Sequence, residues 1–359
     1  MRFAKIILLA GAGLLLASAA NAQTLIGLAV PLSGPSAILG EQMRAGAVTA
    51  SELLANSGLA LELADDGCTA EGGATAARQF VAAQVRMVIG FLCTESIEAA
   101  MPILSAANIP VIAIGVRTDS LTDRRVKTGW NVVRLGPRAD AEREAAASII
   151  TQLWRKELFA IVDDGTIYGR ELSESVRLAA EQASLKPVFM DTFRPQVDNQ
   201  IGLVGRLRRA GATHVFAGGD RDDIAIIARD AAGLDTGIVV AGGETLRAPP
   251  GDVPLTPGML MVAPPEWNTI DDPATAKAFA DREIQPEGYV LPAYAAFEIA
   301  TAALADAVAP GVTTTLTGQT FETVLGTIRF DEKGDLSENP YRAFRFDGSG
   351  FVPVETPAP

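Results

Sequence analysis

The chain has 359 residues, of which 43 are acidic, 30 are basic and one is histidine, giving a formal charge of −13 at pH 7. An acidic chain without basic clusters argues against partners such as nucleic acid and anionic membrane surfaces. The length suffices for two lobes with large cores. Zinc sites, Ser-His-Asp triads and Cys-His dyads would all have to use the single His214, which disfavours these enzyme classes.

The first 22 residues have the three-part layout of a secretory signal peptide. A basic start is followed by an almost wholly apolar run at residues 6–17 and by the small-residue cleavage site Ala20-Asn21-Ala22. The apolar run is too short for a membrane span. We therefore expect a protein that is exported to the periplasm, begins at Gln23 and has no direct access to cytosolic ATP or cofactor pools.

The first half of the mature chain alternates short β-rich runs with segments of helical periodicity. In chain order it predicts strands at 25–30, 59–64, 85–91 and 110–115, with helices at 40–56, 70–83 and 95–107. Repeated βαβ units predict a parallel sheet with helices on both faces. The composition, 48% hydrophobic but only 6% aromatic, suits helices packed on such a buried sheet.

The pattern restarts after Pro137 and predicts a second lobe of the same class. Its strands are expected at 159–163, 187–192, 213–217, 237–241 and 259–263, and its helices at 139–153, 171–183, 200–210 and 222–232. Helices at 273–284 and 290–308 follow a Pro-rich joint, and short antiparallel strands are expected at 327–331, 341–347 and 351–354. Because ligands of open α/β sheets lie at the carboxyl ends of the strands, two facing lobes would bind a ligand in their cleft.

Cys68 and Cys93 are the chain's two cysteines. In an oxidising compartment an isolated pair is most simply a disulfide, here closing a loop of about 25 residues. The paired acids at 65–66 and 163–164 each end a predicted strand, where acids commonly cap loops. The glycine pairs lack the spacing of a nucleotide site. We therefore expect no enzymatic activity, no cofactor and no metal.

A set of short motifs runs in order through nearly the whole mature chain. They are IGLAVPLSGP at 26–35, LGEQ at 39–42, DDGC at 65–68, VIGFLCT at 88–94, DDGTIYG at 163–169, GG at 218–219, GGE at 242–244, YAA at 294–296 and FDEKGD at 330–335. The ordered set resembles the branched-chain amino acid (leucine/isoleucine/valine-type) binding proteins of ABC transporters. The resemblance also implies that the two cysteines are bonded to each other.

The resemblance implies a type I periplasmic binding protein fold: two Rossmann-like lobes with parallel central sheets, joined by a three-stranded hinge. Residues 23–136 and 266–325 would form the first lobe, and residues 137–265 and 326–359 the second. Such a protein closes on a small solute and delivers it to an ABC permease and ATPase complex. A monomer is the default expectation for this role.

The resemblance places part of the ligand site in the first lobe. Thr94 matches a hydroxyl that follows the third strand, and Gly115 and Val116 match backbone groups that follow the fourth. Arg117 stands where the family has a threonine hydroxyl. Because a bidentate arginine is well suited to a carboxylate, Arg117 is expected to hold the ligand's carboxylate. The alternatives are an exposed loop arginine, or one paired with Asp119 or an acid at 123.

From the second lobe, the resemblance implies that Tyr168 covers the ligand and that Glu244 meets its amino group. Asp220, after the Gly-Gly pair, is either a second acid in the cleft or the N-cap of the helix that begins near residue 222. Leu39 stands near the entrance, where relatives often have tyrosine. Tyr289 either lines the pocket for the ligand's side chain or is packed in the core.

These observations predict an extracytoplasmic solute-binding protein that captures a small carboxylate-bearing solute, with amino acids, including branched-chain ones, as the first candidates. Arg117, Asp220 and Leu39 depart from the leucine-type pattern, so the resemblance does not restrict the ligand to branched-chain amino acids. The alternative is a receptor or sensor module of the same fold for an amide, urea or an aromatic acid. A secreted enzyme is disfavoured by the single histidine and the absence of catalytic motifs.

Overall fold

The computed structural model of the protein describes residues 23–305 and 316–355, and the expected signal peptide lies outside them. The first lobe is built on a five-stranded parallel sheet with the spatial order β2-β1-β3-β4-β5. Its strands are β1 (Thr24–Val30), β2 (Leu59–Asp65), β3 (Met87–Gly90), β4 (Val111–Ala113) and β5 (Val132–Arg134). This order reverses direction beside β1, as in doubly wound α/β sheets.

The second lobe is built on a seven-stranded sheet with the order β14-β13-β10-β9-β8-β6-β7. Its strands are β6 (Phe159–Asp163), β7 (Phe189–Thr192), β8 (His214–Gly218), β9 (Val239–Gly242), β10 (Leu260–Ala263), β13 (Arg342–Phe346) and β14 (Phe351–Pro353). Strands β6 to β10 are parallel, whereas β13 and β14 are antiparallel additions at one edge. A separate hairpin is formed by β11 (Thr320–Thr323) and β12 (Gly326–Arg329).

Helices cover both faces of each sheet. They are α1 (Ala37–Leu53), α2 (Ala70–Ala82), α3 (Thr94–Ala106), α4 (Ser120–Asp123), α5 (Arg125–Thr128), α6 (Ala141–Leu153), α7 (Ile167–Gln182), α8 (Ile201–Arg209), α9 (Arg221–Gly233), α10 (Pro273–Asp281) and α11 (Val290–Ala305). Helices α1 and α11 enclose one face of the first sheet, and α2 and α3 enclose the other. Each lobe therefore has two apolar layers, as expected for βαβ units. The predicted extension of α11 to residue 308 lies outside the described residues.

The chain crosses between the sheets after β5, after β10 and after β12. The hairpin β11–β12 packs on the first lobe through the buried Phe321 and Phe330. The last crossing therefore follows residue 330, later than the lobe boundary expected at residue 325. Two sheet-based lobes joined by three crossings confirm the expected type I architecture.

The predicted disulfide is present between Cys68 and Cys93, whose Cα atoms are 5.2 Å apart. It links the loop after β2 to the loop after β3 and thereby fixes the backbone just before Thr94, the first residue of α3. Over the two described segments, no helix combines the length and apolar character needed to cross a membrane.

Candidate functional site

The carboxyl ends of the parallel strands bring the candidate ligand-binding residues to the cleft. Thr94 begins α3 after β3, and Arg117 lies in the loop after β4. Tyr168 is in the first turn of α7 after β6, and Glu244 begins a short 3-10 turn after β9. The two lobes thus contribute their groups from equivalent edges of their sheets, where open α/β sheets bind ligands.

Arg117 and Glu244 form an ion pair that joins the two lobes. Arg117 Nη1 donates to Glu244 Oε1 at 2.8 Å, and Arg117 Nη2 donates to the hydroxyl of Tyr341 at 2.6 Å. The same Tyr341 hydroxyl donates to Glu244 Oε2 at 2.6 Å. Because the three side chains are in direct contact, a ligand can enter between Arg117 and Glu244 only if these two groups separate.

The surroundings of Arg117 keep its positive charge. Burial alone would lower the pKa of the Arg117 guanidinium, but Tyr341 and Glu244 more than offset burial, and the pKa rises above its ordinary value. Burial and the nearby Glu244 also raise the pKa of the Tyr341 phenol, which therefore remains a neutral donor. The cleft consequently holds a fixed positive group opposite a carboxylate.

A second acid, Glu142, lies behind this ion pair in the first turn of α6. The residue is only 4% exposed. Its Oε1 accepts hydrogen bonds from the Tyr168 hydroxyl at 2.8 Å and from the backbone N–H of Glu244 at 2.7 Å. Burial first, and then the charge of Glu244, raise the pKa of the Glu142 carboxyl to about 7.

On the side of the first lobe, apolar side chains lie next to the polar cluster formed by Arg117, Glu244 and Tyr341. Gly115 lies against the side chains of Leu92 and Tyr289, where a Cβ atom would approach Leu92 Cδ1 to 2.5 Å. Burial raises the pKa of the Tyr289 phenol, while the charge of Arg117 lowers it and that of Glu244 raises it further. The side chain of Val116 is buried in the first-lobe core, so only its backbone is available to a ligand.

Three other predicted residues are less engaged with the cluster. Thr94 and Leu39 are partly buried in the first turns of α3 and α1. Asp220 is exposed at the N-cap position of α9, but its side chain makes no cap hydrogen bond there. It lines a second-lobe cavity of 720 Å³ together with Asp223 and Thr245, beside the cluster of Arg117, Glu244 and Tyr341 rather than within it.

The alternative partners considered for Arg117 are engaged elsewhere. Asp119 lies 3.6 Å from Arg138, and Asp123 pairs with Arg138 and Lys333 at 3.1 Å each. The alternative in which Arg117 pairs with one of these acids is therefore not observed, and Arg117 pairs with Glu244 instead.

The paired acids at 65–66 and 163–164 and the single histidine make contacts that stabilise the local structure. Asp65 Oδ1 accepts from Leu32 N and Gly67 N, and Asp164 Oδ1 accepts from Thr166 N, so these acids order the loops after their strands. His214 contacts the hydroxyl of Thr213 and lies at the start of β8, away from the cluster. Among the described residues, no group of three His, Cys, Asp or Glu is arranged to hold a metal ion.

Glu142, Tyr341 and Leu92 were not anticipated as site residues. Glu142 carried a usable signal, because it shares a helical face with Ala146 and Ile150, both buried. An acid on an apolar face indicates a specific partner. Tyr341 stands at the start of the strand predicted at 341–347, just before β13, but only the three-dimensional fold brings its hydroxyl to Arg117.

A sequence profile of the family described as periplasmic binding protein matches residues 23–350. The chain is also similar to the leucine-, isoleucine-, valine-, threonine-, and alanine-binding protein of Pseudomonas aeruginosa. The identity is 28% over 339 residues, which cover 89% of each chain.

Solved structures show the same fold. A protein of Rhodospirillum rubrum ascribed to a branched-chain amino acid ABC transporter superposes with a TM-score of 0.75 at 18% identity, covering 92% of this chain and 99% of that one. A solute-binding protein of an ABC transporter from Rhodopseudomonas palustris, in complex with 3,4-dihydroxybenzoic acid, superposes with a TM-score of 0.60 at 16% identity, covering 90% and 92%.

Proposed function

The chain belongs to the periplasmic binding protein family, and we propose that it captures a small α-amino acid with an apolar side chain for an ABC importer. The ligand enters the open cleft, the lobes close on it, and the closed complex delivers it to a permease and ATPase complex from the periplasm. The protein acts as a monomer and performs no chemistry on the ligand.

The observation that carries this proposal is the opposite charge of Arg117 and Glu244, which face each other across the cleft at 2.8 Å. A zwitterion can insert between them, with its carboxylate on Arg117 and its ammonium on Glu244. Each protein charge then exchanges its partner for an equivalent one, so that no charge is left buried and unpaired.

The residues around the ion pair favour a ligand with an apolar side chain. Carbon atoms of the Leu92 and Tyr289 side chains lie against Gly115 on the first lobe, two residues before Arg117. Apolar walls with a few convergent polar groups are typical of small-molecule sites. The leucine-, isoleucine-, valine-, threonine-, and alanine-binding relative supports the same ligand class.

A second candidate is an aromatic acid, sensed or transported by the same fold. The relative bound to 3,4-dihydroxybenzoic acid favours it, as do the three phenols of Tyr168, Tyr289 and Tyr341 around the cluster. However, a carboxylate without an ammonium group would take Arg117 and leave the partly buried Glu244 without its cation. The charge pattern therefore favours the zwitterion.

The direct test is binding by Arg117→Ala, measured by calorimetry after a thermal-shift screen of the purified protein with amino acids, amides, urea and aromatic acids. Wild type at 100 times the dissociation constant should be stabilised by about 2.7 kcal/mol. Loss of the arginine should weaken amino acid binding by roughly 30-fold or more, because a buried carboxylate loses its partner.

The matched control is Arg44→Ala, which removes an exposed arginine paired with Glu41 on α1. This control should bind as wild type does. Equal affinity of Arg117→Ala and wild type would contradict the role of Arg117 in binding the ligand's carboxylate. A thermal shift with urea or amides alone would contradict the proposed ligand class. Permease or sensor-kinase genes beside the coding gene would separate transport from sensing.

A further inference from the structure

Glu142 is placed where it controls both ligand-facing groups of the second lobe. One oxygen, Oε1, accepts from the Tyr168 hydroxyl and from the backbone N–H of Glu244. These two residues come from different elements, α7 and the turn after β9, and α6 contributes Glu142 between them. A single buried carboxylate oxygen of Glu142 therefore sets the position of the Tyr168 side chain relative to Glu244.

The neighbouring backbone is shaped around this carboxylate. A Cβ atom on Gly243 would lie 2.2 Å from Glu142 Oε1 and 2.6 Å from the Tyr168 hydroxyl. Only glycine lets the chain pass so close to both groups. The Gly-Gly-Glu motif thus has a physical reason beyond the turn itself, since its second glycine makes room for Glu142.

Glu142 faces charged and titratable groups from each element packed against it. Glu244 adds a negative charge, Arg117 adds a positive one from the first lobe, and the phenols of Tyr168 and Tyr341 complete the set. With both carboxylates ionised, this side of the cleft has two negative charges against the one positive charge of Arg117. If Arg117 is diverted to a ligand carboxylate, both acids are left facing the rest of the ligand.

We propose that Glu142 is a positioning and specificity-determining residue, which fixes Glu244 and Tyr168 and supplies a second negative charge that selects ligands with a cationic amino group. This inference rests on the proposed function and deepens it. Recognition of the ligand's amino group then depends on two acids rather than on Glu244 alone: Glu244 contacts the amino group, and Glu142 lies behind Glu244.

The test is calorimetric binding of leucine at pH 6 and pH 8 to wild type, Glu142→Gln, Glu142→Ala and Tyr168→Phe. In wild type, Glu142 becomes ionised over this range, so binding should be about tenfold tighter at pH 8. Glu142→Gln keeps an acceptor oxygen but has no charge to gain, so it should fold normally, bind more weakly at pH 8 and lose the pH dependence. Glu142→Ala should be weaker still, and Tyr168→Phe should keep the pH dependence.

The matched control is Glu144→Gln, an exposed acid two residues away on the same helix, which should keep both affinity and pH profile. If wild type binds leucine and Glu142→Gln binds it with the same affinity and pH profile, this inference is overturned and the proposed function stays intact. Wild type that binds 3,4-dihydroxybenzoate but not leucine would contradict both, because a second negative charge opposes an anion.

Discussion

At the scale of single residues, the site is a compact arrangement of charges and phenols. Arg117 and Glu244 face each other across the cleft, Tyr341 bridges them, and Glu142 supports Glu244 from behind. The side chain of Arg117 is 38% exposed and that of Glu244 is 26% exposed, so solvent reaches the pair and partner exchange with a ligand is feasible.

The protonation of Glu142 should be visible in the stability of the ligand-free protein. Its pKa is raised from 4.5 to about 7, so the folded state binds this proton more tightly than the unfolded state. Its contribution to stability is therefore present at low pH and is lost as the pH rises from about 4.5 through 7. Relative to wild type, Glu142→Gln should gain about 2 kcal/mol in the free energy of unfolding between pH 5 and pH 8.

Urea unfolding at the two pH values measures this difference. Glu144→Gln, whose carboxylate is exposed, serves as the control and should track wild type at both. A stability difference between Glu142→Gln and wild type that is the same at pH 5 and pH 8 would show that Glu142 titrates normally.

The residues of the site differ in how far the sequence could identify them. Glu244 ends a motif that follows a predicted strand, Arg117 lies just after another predicted strand, and the fold brings their side chains into contact. Glu142 and Tyr341 depend on contacts between segments far apart in sequence, such as the 97 positions between Glu244 and Tyr341. The ligand-binding roles of Thr94 and Asp220 remain predictions.

At the scale of elements, hydrophobic periodicity identified nearly every long helix and strand. The segments it missed are short: β5, β11, α4 and α5 have three or four residues each, too few to show a period. Helix α7 begins at Ile167 rather than near 171, because Thr166 caps it and Gly169 lies within its first turn. A glycine at that position favours a loop prediction, although here it permits close approach to the Gly218 carbonyl.

The start of α7 provides a test of capping beside the site. Thr166 Oγ1 accepts from Gly169 N at 3.0 Å and contacts Asp164 Oδ1 at 2.6 Å. Thr166→Ala should lower the free energy of unfolding by about 1 to 2 kcal/mol. Ser36, the N-cap of α1, makes no side-chain cap hydrogen bond, so Ser36→Ala should cost only a few tenths of a kcal/mol. Equal shifts of the two urea midpoints would refute the capping role of Thr166.

At the scale of the whole molecule, two of the three crossings are tied together by a buried ionic network. Asp335, on the last crossing, accepts from Arg134 Nε and from Arg138 Nη1 at 2.9 Å each, and from the Thr122 hydroxyl at the same distance. Arg134 is fully buried. The network therefore anchors the hinge from which the lobes close, while the Arg117–Glu244 pair joins the lobes across the cleft.

Asp335→Asn should destabilise the protein by about 3 to 5 kcal/mol, because it leaves the buried Arg134 without a counter-charge. The control is Asp281→Asn, which breaks an exposed pair with Lys277 on α10 and should cost less than about 1 kcal/mol. Thermal or urea unfolding measures both. A cost for Asp335→Asn as small as that of the control would mean that the network does not hold the crossings together.

We expect the closed cleft to recognise both charges of a zwitterion. The most direct measurement is calorimetric titration of wild type with leucine, with leucinamide, which lacks the carboxylate, and with 4-methylpentanoate, which lacks the ammonium group. Each truncated ligand should lose about 2 kcal/mol or more, roughly 30-fold in affinity, because it leaves Arg117 or Glu244 unpaired. Binding of 4-methylpentanoate as tight as that of leucine would contradict the account, since the acids Glu244 and Glu142 would then have no role in recognition.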